Sequence, residues 1–501
     1  MADKSVIIIG AGVAGLSSGC YCQMNGYRSR IFELHDSPGG LCTSWQRKGF
    51  TIDCCIHWLM GSKAGGEMHQ IWRELGIIQG RQFIHHEEYA RFEGSDGKEL
   101  VIYTDPDRLE RHMKDVAPED GREITFLASM VRKSMGYPLI VGRAPELTGF
   151  LDQVRSMWAT RSMMGFFLKY RGYSIADYAK RFKSPLLREA LPFFFYPGMP
   201  FIFLPITLGS LASGDSGYPI GGSLPMSRAI EQRYLGLGGQ ISYRSRVKKI
   251  LVENDRAVGV QLEDGSEHRA DYVISAADGH STIFEMLEGK YADDKVRGYY
   301  RDMELSPAII NVGLGFGRSW DELPKCVTGQ LLYLPEPVTI GGKELRRLNV
   351  HFYNFDPTLA PPGKTVANVI LEAGYDYWSE LRQQDRERYA AEKEKVADQV
   401  IAALDRRYPG LAASVEMRDV APQATYYRYT ANWKGSFEGW LPNPKTLMMR
   451  MSKTLPGLDG FYMVGQWVEP GGGLPPAGYH GRHVTQLLCK RDGKQFRASE
   501  P

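Results

Sequence analysis

Short apolar, β-branched runs that lead into glycine turns and then into helix-like stretches recur along the chain, the pattern of strands feeding helices. Residues 5–9 (SVIII) suit a strand buried on both faces. Gly10-Ala11-Gly12-Val13-Ala14-Gly15 follows directly, then a helical stretch from Leu16 to Asn25 that Gly26 ends, then a second strand over Arg30-Ile31-Phe32-Glu33. Farther on, Ala308 to Gly315 reads as a strand. Residues 378–407 read as one charged helix with Val396, Val400, Ile401 and Leu404 on its apolar side. The stretch 190–214 carries no charge and is long enough for a membrane span, but Pro192, Pro197, Pro200 and Pro205 would break such a helix repeatedly, so that reading fails.

The first turn carries chemistry. Gly10 permits the tight bend, Gly12 lets backbone amides approach a diphosphate, and Gly15 lets helix and strand pack closely. Glu33 stands 18 residues after Gly15 at a strand tip, where a carboxylate accepts hydrogen bonds from a ribose. A glycine pair, Gly39-Gly40, follows where nicotinamide folds continue their winding, and flavoproteins often place a GG segment there. Gly313, Gly315 and Gly317 do not repeat the motif, because their spacing differs and no apolar helix follows, so no second dinucleotide site is expected.

Composition narrows the classes. At 501 residues the chain should hold two to four units. A net charge of +3, from 61 basic against 58 acidic residues, lacks the field of a nucleic-acid binder. The seven cysteines are odd in number and form no CxxC knuckle, which argues against a disulfide framework or a zinc site and suits a reducing cytoplasm. The opening MADKSVIIIGAGVAGL has a signal-peptide look that its glycine spacing overrides.

Three separated blocks resemble the flavin-dependent amine-oxidase-like superfamily, and within it the phytoene desaturase, carotenoid isomerase and retinol saturase family. The first runs through GGLCTS and the segment 49–61. The second joins Tyr218-Pro219-Ile220-Gly221-Gly222-Ser223 to Val247-Lys248-Lys249-Ile250 and residues 270–276. The third runs from Leu455 through Gly465-Gln466-Trp467 to Pro470-Gly471-Gly472-Gly473-Leu474-Pro475-Pro476-Ala477-Gly478. The resemblance implies an α/β fold: a Rossmann-like FAD-binding domain of the GR2 type, assembled from residues 1–85, 215–290 and 440–501, and a discontinuous α+β substrate domain from 86–214 and 291–439. It implies that Gly10, Gly12, Val13 and Ala14 hold the FAD diphosphate, Glu33 the ribose, Gly40 and Leu41 the path beside the cofactor, and Val247 the adenine. Gly465, Gly473, Leu474 and Pro475 would lie by the diphosphate and flavin ring. A helix following the glycine run would aim its N-terminus at the anionic flavin edge.

The expected function is hydride exchange between FAD and the C=C bonds of a long apolar lipid, with an acid/base group handling the proton on the neighbouring carbon. Carotene desaturases usually lack Ile56-His57-Trp58, whereas Asp53-Cys54-Cys55-Ile56-His57 looks more like the retinol saturase version of this segment, which tilts the expectation toward saturation or a related lipid reaction. His57 is the first acid/base candidate and Glu469 the second. Cys54-Cys55 are expected to fill apolar space and are assigned no chemistry. Desaturation, isomerisation and a non-enzymatic lipid carrier of the same fold stay open, as does the identity of the electron donor or acceptor. Residues 154–188 hold eight basic residues, one acid and many aromatics, and two readings stand: a surface docked on anionic lipid, making the protein peripheral to a membrane, or a solvated basic face over core.

Overall fold

The computed structural model describes residues 4–501. Ser5–Ile9 lies at the centre of a five-stranded parallel sheet, flanked on one side by Arg28–Phe32 and Gln240–Ser242 and on the other by Tyr272–Ser275 and Phe461–Met463. Ile8 stands opposite both Ile31 and Ile274, so the apolar run is paired on both edges and buried on both faces, as its composition requires. The helix Val13–Met24 begins three residues before the predicted start. The final long helix, Leu474–Arg491, crosses it so closely that a Cβ on Gly481 would meet the Ser18 nitrogen at 2.3 Å. Ser17 Oγ donates to the Gly478 carbonyl at 2.6 Å across the same contact.

A second, seven-stranded sheet runs in the order Val415–Ala421, Ile309–Phe316, Thr365–Glu372, Lys343–Phe352, Gln330–Ile340, Glu88–Glu93, Glu99–Tyr103. Its pairs are antiparallel except where Gln330–Ile340 meets Glu88–Glu93. The expected charged helix over 378–407 is two helices, Tyr375–Gln384 and Arg386–Arg407. Asp385 breaks it: its backbone is extended and its side chain accepts from Arg388 N at 2.9 Å, capping the second helix. Val396, Val400 and Leu404 then cover one face of the sheet around Ile310, Val312 and Leu314.

Helices from Pro106–Val116 to Phe203–Ala212 form a third layer around Phe92, Tyr178, Phe201 and Leu204. Part of the charge-free stretch 190–214 lies in this layer, with Phe201 stacked on Tyr178 at 3.6 Å. No helix among the described residues is long and apolar enough to cross a membrane.

The layers meet at Asp53, the last residue of the strand Phe50–Asp53. Its buried carboxylate accepts from Ser223 N and Oγ (2.7 Å for the hydroxyl), from Cys55 N at 3.1 Å and from Ile56 N at 3.4 Å. Its carbonyl accepts from Tyr353 Oη at 3.1 Å and from Asn368 Nδ2 in the second sheet. Burial pushes its pKa up, and the Ser223, Cys55 and Ile56 donors pull it back. A Cβ on Gly222, which sits at φ +71, would overlap the carboxylate, so only glycine fits there. Asp53→Ala, which strands these donors, should cost about 3 kcal/mol. Asp53→Asn, which keeps an acceptor oxygen, should cost less. Urea unfolding midpoints of the two variants measure the difference.

Candidate functional site

The chain leaves the central strand at Ile9 and turns at Gly10, whose φ of +97 favours glycine. A Cβ on Gly15 would fall 1.9 Å from the Gly10 carbonyl oxygen, so strand and helix touch through backbone. Gly12 is the N-cap of Val13–Met24 and supplies no capping side chain, leaving first-turn amides open beside Gly12, Val13 and Ala14, all of which line one cavity. The helix Leu474–Arg491 begins in the same way, uncapped at Gly473 with φ +81. The two helix starts converge through Gly465, where a Cβ would be 3.4 Å from that of Ala14. Two positive helix termini therefore face one space, a setting suited to an anionic diphosphate.

The remaining predicted contacts surround that space. Gly39 N donates to the Ala11 carbonyl at 2.9 Å, and Gly40 packs against Gly12. Glu33 lies just past the strand tip, buried, with Oε2 accepting from Ala11 N at 2.5 Å and Oε1 from His35 N at 2.7 Å. Burial raises its pKa and these amides oppose the rise. A carboxylate has about four lone-pair sites, so lone pairs remain for a ribose hydroxyl. Val247 opens the strand Val247–Glu253 at one end of the cavity, and Leu41 packs with Cys54, Ile309 and Tyr426 farther in. These residues fit FAD: an uncapped glycine cradle, a buried acid at the strand tip, and a long space running on from both.

That space is a single cavity of about 1720 Å³, larger than the roughly 300–1,000 Å³ of an ordinary small-molecule pocket. Gly10, Gly12, Val13, Ala14, Glu33, Gly40, Leu41, Val247, Gly465, Gly473, Leu474 and Pro475 all line it, as do His57 and Glu469. Its far end is walled by Trp58, Tyr89, Phe194, Phe195 and Phe203.

His57 is enclosed by protein but opens on the cavity, with its Nδ1 unpartnered and its ring 5.2 Å from that of His351. Burial lowers its pKa to about 4, so at neutral pH it is an uncharged imidazole. Glu469 is bound up in a relay: its carboxylate accepts from Tyr479 Oη at 2.7 Å and pairs with His480 Nε2 at 2.8 Å. His480 Nδ1 in turn accepts from Gly465 N at 3.2 Å, which leaves the ring proton on Nε2, facing Glu469. Burial pushes the Glu469 pKa up, but His480 and Tyr479 outweigh it and hold the group below its usual value. Cys54 is buried, its pKa raised by burial to about 12, which keeps it a thiol.

Of the cavity-lining carboxyls that the sequence does not single out, two bear on the site. Asp278, raised by burial to about 6, accepts from Ser281 N at 2.8 Å and from Trp433 N at 2.9 Å, tying the aromatic-rich segment 426–440 to the parallel-sheet domain. Glu438 lines the cavity beside Gly472 and Gly473. No spacing marks either one, because what distinguishes them is burial supplied by distant segments; the density of aromatics over 426–440 was the available signal.

A family model described as flavin containing amine oxidoreductase matches residues 13–488. Among curated proteins, the chain is 25% identical to the chloroplastic prolycopene isomerase of Daucus carota, over 96% of this chain and 79% of that one. It is 24% identical to the neurosporene-forming phytoene desaturase of Rhodobacter capsulatus, over 96% and 93%. Among solved structures, it resembles an oxidoreductase from Methanosarcina mazei (TM-score 0.60, 20% identity, 96% of this chain and 100% of that one). It also resembles cyclohexylamine oxidase from Brevibacterium oxydans (TM-score 0.56, 15% identity, 98% and 100%). At these identities the solved structures speak to the fold alone.

Glu33→Ala, which removes a charged acceptor facing the cradle, should weaken FAD retention about 10- to 100-fold. Titrating apoprotein with FAD and following flavin fluorescence quenching checks it.

Proposed function

Because the chain belongs to the flavin containing amine oxidoreductase family, whose cofactor here is FAD, we propose that this FAD-dependent oxidoreductase acts on the C=C bonds of a long apolar polyene. The observation that carries the reading is the continuity of one cavity, from the glycine cradle to a chamber walled by Trp58, Tyr89, Phe194, Phe195 and Phe203. Curated relatives named as a prolycopene isomerase and a phytoene desaturase support the same substrate class. When bound, FAD supplies a centre that exchanges a hydride at N5.

The protein's part is binding, shape and exclusion of water. The first-turn amides at Gly12–Ala14 and Gly473–Pro475 hold the diphosphate side, Glu33 the ribose, and Val247 the adenine. A hydrocarbon offers little for hydrogen bonds to grip, so the aromatic wall orients it by contact. His57 serves as a neutral polar group beside the reacting bond. Glu469 acts through His480, holding the Gly465 turn in place.

The retinol-saturase-like segment Asp53-Cys54-Cys55-Ile56-His57 supports the saturating direction, for which an outside electron donor is needed; dehydrogenation needs an outside acceptor. The relatives named as isomerases support cis–trans isomerisation as a second reading, with no net electron flow. A flavin-free lipid carrier finds no support, since the glycine cradle and Glu33 would then have no ligand.

Substrate of this kind resides in lipid, and one surface suits delivery from it. The helix Phe150–Tyr170 exposes Phe150, Leu151, Met157 and Trp158 at 78%, 76%, 61% and 69% of their surface. Arg155 and Arg161 lie among them, with the Arg161 guanidinium 3.8 Å from the centre of the Trp158 ring. The opposite side buries Met163, Phe166 and Tyr170, and Met163 Sδ accepts from Ser134 Oγ, on a residue that lines the cavity. In this reading the helix lies on an anionic membrane surface.

The purified protein is expected to show an oxidised flavin spectrum, and anaerobically reduced protein is expected to be reoxidised by one polyene class. A colourless protein that FAD does not reconstitute would sink the reading, and isomer exchange without reoxidation would establish the second one. In flotation with anionic vesicles, Leu151→Glu/Trp158→Glu should bind at least about tenfold more weakly than the unaltered protein. Equal flotation of the two would remove the membrane role.

A further inference from the structure

We propose that Glu438 is the catalytic acid/base of this site, its carboxyl exchanging a proton with an alkene carbon of the polyene in the cavity. The inference rests on the alkene reading above and supplies the group that His57 and Glu469 do not.

Geometry carries it. Glu438 follows Phe437 in the aromatic segment that leads back to the parallel-sheet domain, and its backbone is fixed against the glycine run. A Cβ on Gly472 would lie 2.4 Å from the Glu438 carbonyl oxygen, and the Glu438 Oε1 is 4.0 Å from the Cβ position of Gly473. Gly473 starts the helix whose N-terminus faces the cofactor cradle. The carboxyl therefore stands at the junction of cradle and substrate chamber.

Its isolation sets it apart. The other carboxyls described around the cavity are engaged: Glu33 by Ala11 and His35, Asp278 by Ser281 and Trp433, Glu469 by Tyr479 and His480. Among the described residues, no hydrogen bond or ion pair reaches Glu438. A polar group left without partners beside a substrate cavity is free to bond to what enters. Burial alone raises its pKa to about 7, so near neutral pH both protonation states are populated, the condition for giving or taking a proton. The titratable group facing it is Tyr196, raised by burial and then by Glu438 and Glu372; Glu372 lies 3.7 Å from Lys343 Nζ. Tyr196 therefore stays protonated and neutral while Glu438 titrates.

His57 and Glu469 are poorer donors. The neutral imidazole of His57 would have to give up its last ring proton, and Glu469 is held as a carboxylate. In the saturating direction, the O–H bond of Glu438 breaks and a C–H bond forms at one alkene carbon. The adjacent carbon receives a hydride from reduced FAD, so the π bond is consumed, the alkene gains two electrons and FAD loses two. Glu438 is left as carboxylate and recovers a proton from water. Dehydrogenation runs the same exchange backwards, with Glu438 carboxylate as base and oxidised FAD as hydride acceptor.

The test uses flavin-loaded wild type, Glu438→Gln and Glu438→Asp. Infrared difference spectra across pH 5.5–8.5 should show a protonated-carboxyl band in wild type, lost with a midpoint at about pH 7 and absent in Glu438→Gln at every pH. Single-turnover reaction of reduced protein with a polyene in D2O should place two deuterons across each saturated bond, one from the exchangeable flavin N5 position and one from the Glu438 carboxyl, with a rate that falls as pH rises through about 7. Glu438→Gln should be slower by about 100-fold or more, with that pH step gone and its flavin absorbance per chain unchanged, and Glu438→Asp should recover part of the rate. A wild type that turns over while Glu438→Gln matches it in rate and pH profile overturns the assignment and leaves the alkene reading standing. A wild type inert toward every polyene class overturns the alkene reading, and the assignment with it.

Discussion

Asp53 is the constraint around which the molecule is arranged. One buried carboxylate collects donors from its own loop and from Ser223, while its carbonyl collects Tyr353 and Asn368 from the second sheet. Segments some 170 and 315 residues away in sequence thus close on one residue. A buried charge is tolerated only when its bonding capacity is filled, so each of those partners must be present and in place for any to be stable. The consequence reaches the site: this junction sets His57, four residues on, at the boundary between the glycine cradle and the aromatic chamber.

The carboxyls around the cavity show how one residue type is put to different uses. Glu33 is buried and Glu469 partly exposed, yet each is given donors, and their task is to hold backbone in place or to meet a hydroxyl. Glu438 is partly buried without donors, and desolvation is left to decide its charge. The difference lies in the surroundings and not in the residue, which is why the titration behaviour of a chain of this kind follows from its tertiary contacts.

The legible parts of the sequence were those set by local rules. The Gly10–Gly15 turn, the acid at Glu33 and the uncapped start near Gly473 follow from spacing and backbone stereochemistry, and Gly10, Gly12, Glu33 and Gly473 line the cavity. His57 was reachable because it follows a recognisable turn. Asp53 and Glu438 were not, because the partners that fill one, and the absence of partners that leaves the other bare, come from remote segments. The helix expected over 378–407 failed at Asp385 for the opposite reason: a local cap interrupted a continuous apolar stripe. The two readings of residues 154–188 could not be separated by composition, because the helix Phe150–Tyr170 carries apolar residues on its buried side and on its exposed side.

The parallel sheet takes its last strand, Phe461–Met463, beside Tyr272–Ser275. Between them the chain runs out through the second sheet and back, so this pairing closes a loop of nearly two hundred residues and is a late one. Until then Val273 and Ile274 form an open apolar edge, the kind of surface that recruits chaperones or neighbouring nascent chains. Gly465 and the helix start at Gly473 follow that strand in the chain, so the nucleotide cradle is complete only once it has paired. Cofactor capture is therefore tied to a long-range strand pairing and not to the first glycine turn alone.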